Sequence, residues 1–438
     1  MEEFHKKLKT DIEKKVGFKI LTTTEASVLQ NLLLEQNIYD ISLSTIRRFW
    51  GLIPHRNPLK KTLNALAAFL GHKTYLEFVK HKNRFEEWFN ISQIQRLKSK
   101  DKLTISDFKF IEMLYRIEST AFVSVSLFEN AINFEKWNYI EDLLNSDNIS
   151  LLRDNTDSTE YGAKQAYLLA IYLNSIPIAS FKAVIDKLIQ IDGFRYYCIY
   201  LYVDITNLNH RYGAVINKII TTVNKDKEEV LFLNLLKNLW NYLNGNSLKS
   251  VDFDEQELKK LPYVLIGRYY GFQILNNTLK RDDTAVKFYW KLFLDGINSE
   301  TEIRQYLNEF NHHLILAKQY QKLEYILDNF YETIMDNYHL YHYLDVFIFG
   351  LIDVIISYKS GNVRRANVVF SNLDASKIIY GSYCDYYLIF YNLMGFHLAN
   401  DTQEKESFKK EYLNLTQNAR FFLFNEEYLK NYFINERY

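Results

Sequence analysis

The sequence predicts an all-α protein in two parts, a small five-helix N-terminal unit and a long array of helical hairpins, and three observations carry that reading. The 438 residues include only 14 Gly and 4 Pro, against usual levels of roughly 7% and 5%, so the breakers that punctuate sheet proteins are scarce. Apolar residues recur at third and fourth positions, the spacing of one helix face. Charge is also divided: the first hundred residues hold 18 Lys and Arg against 10 Asp and Glu, and the rest hold 35 against 43. A basic head on an acidic body suits a protein whose head alone meets nucleic acid. With 48% apolar and 24% charged residues the composition is that of an ordinary globular chain, long enough for two or three domains.

Glu2 to Val16 forms a charged helix with Phe4, Leu8 and Ile12 on one face. Thr22 and Glu25 have the spacing of a capping box, so a second helix starts there, shows Leu29, Leu32 and Leu33 as its stripe, and ends near Asn37. Asp40 to Ser42 supplies a turn, and Ser42 or Ser44 caps a third helix that runs to about Trp50. On it Ile46 and Phe49 point inward, leaving Leu43, Ser44, Arg47 and Arg48 to face outward. A fourth helix follows Pro58, carries Leu63, Leu66, Ala67 and Leu70, and stops at Gly71. A fifth, about Thr74 to His81, buries Leu76 and Val79.

The stretch Ser42-x-Ser44-Thr45-Ile46-x-Arg48, followed by Pro58-x-x-x-Thr62-Leu63-x-x-Leu66-Ala67-x-x-Leu70-Gly71, resembles the Cro/phage-repressor class of helix-turn-helix domain over residues 22 to 80. The resemblance implies double-stranded DNA as partner, with the third helix in the major groove. Leu43, Ser44 and Arg48 would then face bases, Arg47 would make a second base or phosphate contact, and Thr45 a phosphate contact. His55, Arg56, Lys60 and Lys61 would hold the backbone. Gln36 and Asp40 stand where the family usually has a small residue and glycine, and the loop before Pro58 is longer than the family's. A weaker likeness, in Thr45-Ile-Arg-Arg with Gly51-Leu-Ile-Pro-x-Arg56, is to winged-helix regulators that resemble the mercury-resistance repressor. The chemistry stands independently, because an arginine fork pairs with both acceptors on a guanine edge and serine suits several edges.

Residues 1 to 90 are thus read as the DNA-binding domain and the polar, basic stretch 91 to 104 as a short, partly helical connector. From 105 to 438 the chain breaks into hairpins: Tyr161 to Phe194, Arg195 to Lys225, Tyr263 to Asn298, Thr301 to Asn337, Tyr338 to Leu373 and Ser382 to Arg420. The turns at Gly361-Asn362 and Asn400-Asp401 resemble those of tetratricopeptide-like repeats, with Ala366 allowing close approach. Such a stack curves around a concave face, the expected site for a peptide, small-molecule or protein ligand. Asn244 to Glu257, Asn145 to Asn148 and Asp154 to Thr159 read as polar interruptions.

Cys198 and Cys384 read as buried free thiols, far apart and without metal spacing. His339, His342 and Asp345 are three apart and could share a helical face, and His312-His313 is another candidate, yet neither set supplies enough ligands, and no metal or cofactor is expected. With no phosphate loop, G-x-S-x-G elbow or H-E-x-x-H pair, enzymatic activity is not expected. Met-Glu-Glu-Phe-His-Lys-Lys lacks the apolar core of a signal peptide. The greasiest run, Tyr343 to Tyr358, is interrupted by Asp345 and Asp353, so no membrane span and a cytoplasmic location are expected. The domain order is similar to that of helix-turn-helix plus tetratricopeptide regulators of bacterial peptide signalling. The reading is a DNA-binding transcriptional regulator, dimeric, whose repeat body dimerises or senses a ligand. The alternative is an interaction scaffold whose small domain does not read DNA.

Overall fold

The computed structural model describes residues 2–36, 38, 41–54, 58–117, 120–145, 168–170, 172–201, 203–297, 300–336, 342–378 and 383–434. Every regular element among them is a helix, and the chain divides into two compact units, Met1–Lys100 and Asp101–Tyr438.

The first unit contains α1 (Glu2–Val16), α2 (Thr23–Glu35), α3 (Leu43–Trp50), α4 (Lys60–Phe69) and α5 (Tyr75–Lys98). Leu8 and Ile12 of α1, Leu29 and Leu33 of α2, Ile46 and Phe49 of α3, and Leu63 and Leu66 of α4 meet in one core. Burial of large apolar side chains of this kind contributes about 1.5 to 3 kcal/mol each.

The fifth helix differs from expectation in two ways. It continues through residues 91–98, because no Gly or Pro interrupts Tyr75 to Lys98 and Thr74 caps its start. Leu76 is 61% exposed, whereas Phe78 is fully buried and Val79 half-buried. Positions two apart on a helix point about 200° from each other, so only one of the pair can face the core. Phe78 takes the place, with its ring against His72 and Tyr75.

The second unit begins with α6 (Ile105–Ile117), α7 (Thr120–Asn133), α8 (Trp137–Leu144) and α9 (Ile178–Leu188). Next come a π-helix (Phe194–Leu201), α10 (Arg211–Thr222), α11 (Lys227–Leu243) and the short α12 (Glu255–Leu258). The expected hairpin from Arg195 therefore opens on a π-helix. The expected interruption after Asn244 is a loop, held by the Lys249 amide donating to Asn238 Oδ1 at 2.7 Å. The other two polar stretches lie wholly or almost wholly outside the described residues.

Four hairpins follow: α13 (Tyr263–Leu279) with α14 (Asp283–Asp295), α15 (Glu300–Leu316) with α16 (Tyr320–Asp336), α17 (His342–Lys359) with α18 (Val363–Ser371), and α19 (Cys384–Leu398) with α20 (Thr402–Ala419). A last helix, α21, covers Glu426–Asn431. Three of the four turns share a device that composition hides. Arg281, Lys318 and Gly361 each sit between paired helices with φ of 59°, 53° and 81°. At two of them the next amide reaches five residues back, Asp282 to Asn277 O at 2.9 Å and Gln319 to Leu314 O at 3.0 Å. This satisfies carbonyls that the helix end leaves unpaired. Two of the three left-handed positions are not glycine, so a search for glycine finds only one.

Helix approach is close at Gly267, where a Cβ would lie 2.2 Å from the Tyr306 carbonyl oxygen of α15. Ala366 of α18 is fully buried. The first helices of the hairpins are apolar and aromatic on both sides, and along α13 and α15 both sides are covered. Arg268 Nη1 donates to Tyr200 O of the π-helix at 2.9 Å, and Tyr432 Oη donates to Ile315 O at 3.0 Å. The Leu423 amide reaches Leu243 O at 2.9 Å. The unit's own π-helix and C-terminal segment thus pack against α13 and α15.

Candidate functional site

In the first unit, local chemistry sets the position of α3. Glu25 Oε2 accepts the Thr22 amide at 2.8 Å and the Leu21 amide at 2.6 Å, completing the capping box at the start of α2. These amides hold the Glu25 carboxyl below its usual range. Gln30 Nε2 of α2 reaches Ile41 O at 3.4 Å, tying that helix to the entry of α3. Ser42 caps α3, accepting the Thr45 amide at 3.3 Å. Its hydroxyl also lies 3.0 Å from Ser44 Oγ and 2.9 Å from Thr45 Oγ1. At the far end Gly51 takes φ +81°, and the Leu52 amide reaches Arg47 O at 2.8 Å. The helix is therefore defined at both ends, and Arg47 and Arg48 in its last turn oppose the negative end of its dipole.

Ile46 and Phe49 are buried as expected. Helix α1 braces this face: the His5 ring meets Phe49 edge-on at 5.8 Å, Lys9 Nζ lies 5.2 Å from the Phe49 centroid, and Trp50 Nε1 donates to Glu13 Oε1 at 2.9 Å. Burial lowers the Lys9 pKa. The brace was missing from the sequence reading, although Glu13 and Trp50 are a polar pair that could have been matched.

Ser44, Arg47 and Arg48, at third and fourth spacing, share the opposite face and are half-buried. Thr45 flanks them. Leu43 is also half-buried and packs partly against the unit's core rather than standing free. Arg47 Nε is enclosed without a hydrogen-bond partner, so its guanidinium would gain a bond by turning toward an acceptor. Lys60 and Lys61 are exposed in the first turn of α4, a turn with no acidic residue and no side-chain cap. A helix N-terminus with lysines beside it favours an anion there. His55 and Arg56, like Asp40, lie outside the described residues.

The second unit holds a buried polar cluster that the sequence reading missed. Arg268 of α13 is 2% exposed and faces Glu309 of α15, with Nε to Oε2 and Nη2 to Oε1 both at 3.0 Å. Tyr383 Oη donates to the same carboxylate, and the Phe232 ring lies 4.4 Å from the guanidinium. These partners make this a structural ion pair, although Nη2, 3.0 Å from Oε1, is enclosed without a hydrogen bond of its own. The sequence signal was weak: Arg268 stands in a mainly apolar helix, but Glu309 is one of several charged and polar residues of α15.

Among the described residues neither suggested metal set gathers enough ligands. Asp345 is engaged by Arg304 Nε at 3.0 Å, His339 lies outside the described residues, and no group of three or more His, Cys, Asp or Glu among the described residues could hold a metal ion. His313 Nδ1 lies 2.7 Å from Glu309 O, and the His312 ring packs 4.5 Å from that of Tyr383. Cys198 and Cys384 are buried free thiols, with pKa values pushed up by burial. Among the described residues no helix is long and apolar enough to cross a membrane. No family model, curated protein or solved structure matches the chain.

Proposed function

We propose that the first unit reads double-stranded DNA in the manner of the Cro/phage-repressor class, and that the chain is a transcriptional regulator. The observation that carries the reading is α3: capped at both ends, braced from behind by α1, and presenting Ser44, Arg47 and Arg48 on the face away from its core. Arginine on that face suits guanine recognition, while Lys60 and Lys61 at the start of α4 suit phosphate. The surplus of basic residues in the first hundred supports it, since phosphate contacts supply much of the affinity for DNA.

In this reading the second unit is a tetratricopeptide-like repeat body that dimerises the reader or couples it to a ligand. Because α13 and α15 are covered on both sides, a ligand or partner would meet this unit elsewhere than along these two helices.

Selection from random-sequence duplexes with the intact protein tests the proposal. The expected outcome is an enriched motif whose affinity falls steeply as salt rises. No enrichment, together with salt-insensitive binding to a protein partner, would favour the interaction scaffold instead.

A further inference from the structure

A cleft lies at the end of the last hairpin and encloses about 520 Å³, within the size range of small-molecule sites. Its aromatic wall comes from three elements: Tyr358 lies near the end of α17, His397 near the end of α19, and Phe433 follows α21. The Tyr358 and Phe433 ring centres are 4.7 Å apart, and those of His397 and Phe433 5.1 Å. His397 Nε2 meets Leu429 O at 2.8 Å, which fixes the imidazole in the wall, and burial lowers its pKa.

The rim is cationic. Lys409 and Lys430 share a single carboxylate oxygen, Glu426 Oε1, at 2.9 and 2.6 Å. Glu406 also lines the cleft, 4.0 Å from Lys409. Lys405 pairs with no carboxylate among the described residues, and its Nζ stands 4.7 Å from the Phe396 centroid. Three lysines therefore face two carboxylates, and the unmatched charge sits beside an aromatic surface.

We propose that this cleft binds a small organic anion with a planar apolar body, the body against Tyr358 and Phe433 and the anionic group at Lys405. Each half answers a feature of the cleft: aromatic side chains line its wall, and the rim offers a cation without an ionic partner among the described residues. The inference does not depend on DNA reading by α3.

The test uses the intact protein with naphthalene-1-acetate, naphthalene-1-ethanol and acetate as probes, followed by calorimetry and saturation-transfer NMR. The expected result is millimolar or tighter binding of naphthalene-1-acetate, several-fold weaker binding of the alcohol, and none of acetate. Lys405→Met keeps the stem and removes the charge, and should weaken the acid roughly three- to tenfold. Glu406→Gln removes a like charge and should tighten it. Both side chains are exposed, and unchanged melting temperatures would show that the fold is intact. No binding of naphthalene-1-acetate, equal binding of acid and alcohol, or indifference to both substitutions would each overturn the proposal.

Discussion

Arg48 and Lys60 separate two kinds of contact that a DNA reader needs. Arg48 shares the α3 face with Ser44, whereas Lys60 stands in the first turn of α4. Arg48→Ala should relax preference at one base position and cost about 1 to 3 kcal/mol, while Lys60→Ala should weaken all sequences alike and lower the salt slope. Anisotropy titrations on selected and scrambled duplexes give both numbers, and unchanged affinity in both variants would remove α3 from the reading role. His313 makes a second prediction, on stability. It is buried beside Arg268 and Glu309, stacks 4.1 Å from His312, and burial lowers its pKa from 6.5 to about 4. The unfolded chain thus binds this proton first as pH falls, so the contribution is full above about pH 6.5 and is lost on the way down to about pH 4. Between pH 7.5 and 5 the loss from this group is about 2 kcal/mol. Urea midpoints at the two pH values should differ less in His313→Gln than in the parent.

At the scale of helices, α13 approaches α15 along one face that carries Gly267 and Gly271, four residues apart, and the two differ in what an added Cβ would meet. Alanine at an interior helix position normally stabilises by about 1 kcal/mol over glycine. At Gly267 the added Cβ would meet the Tyr306 backbone at 2.2 Å, which cannot yield without moving α15. At Gly271 the nearest atom belongs to the His313 side chain at 3.0 Å. Gly267→Ala should therefore cost about 1 to 3 kcal/mol, and Gly271→Ala clearly less. Chemical denaturation of the two variants side by side checks the order, and equal midpoints would argue against backbone contact as the constraint. The hairpin positions themselves were readable: α15 with α16, and α19 with α20, fall within one to two residues of the expected spans. Their turns were less so, because Arg281 and Lys318 adopt a left-handed conformation for which their residue types give no hint.

For the whole molecule, the consequence of the proposed function is a dimer on DNA. Helix α3 has 8 residues and can touch few base pairs, so two half-sites one helical turn apart would add their contacts. Native mass spectrometry with the selected duplex should show two chains per DNA. A species with one chain at every concentration would exclude this version while leaving α3 as a monomeric reader.

The all-helical class, the extent of α1, the capping box of α2, the buried pair Ile46 and Phe49, and most hairpins were determined by the sequence alone. These depend on local spacing and caps, which lie within a few residues of one another. Tertiary structure alone decided that Phe78 rather than Leu76 turns inward and that Leu43 leans on the core. It also paired Arg268 with Glu309 and packed the π-helix and C-terminal segment against α13 and α15. The lysine-rimmed cleft joins residues from Tyr358 to Ile434. Each of these outcomes is a competition for space between segments distant along the chain, and periodicity records which residues are apolar without recording what they will meet.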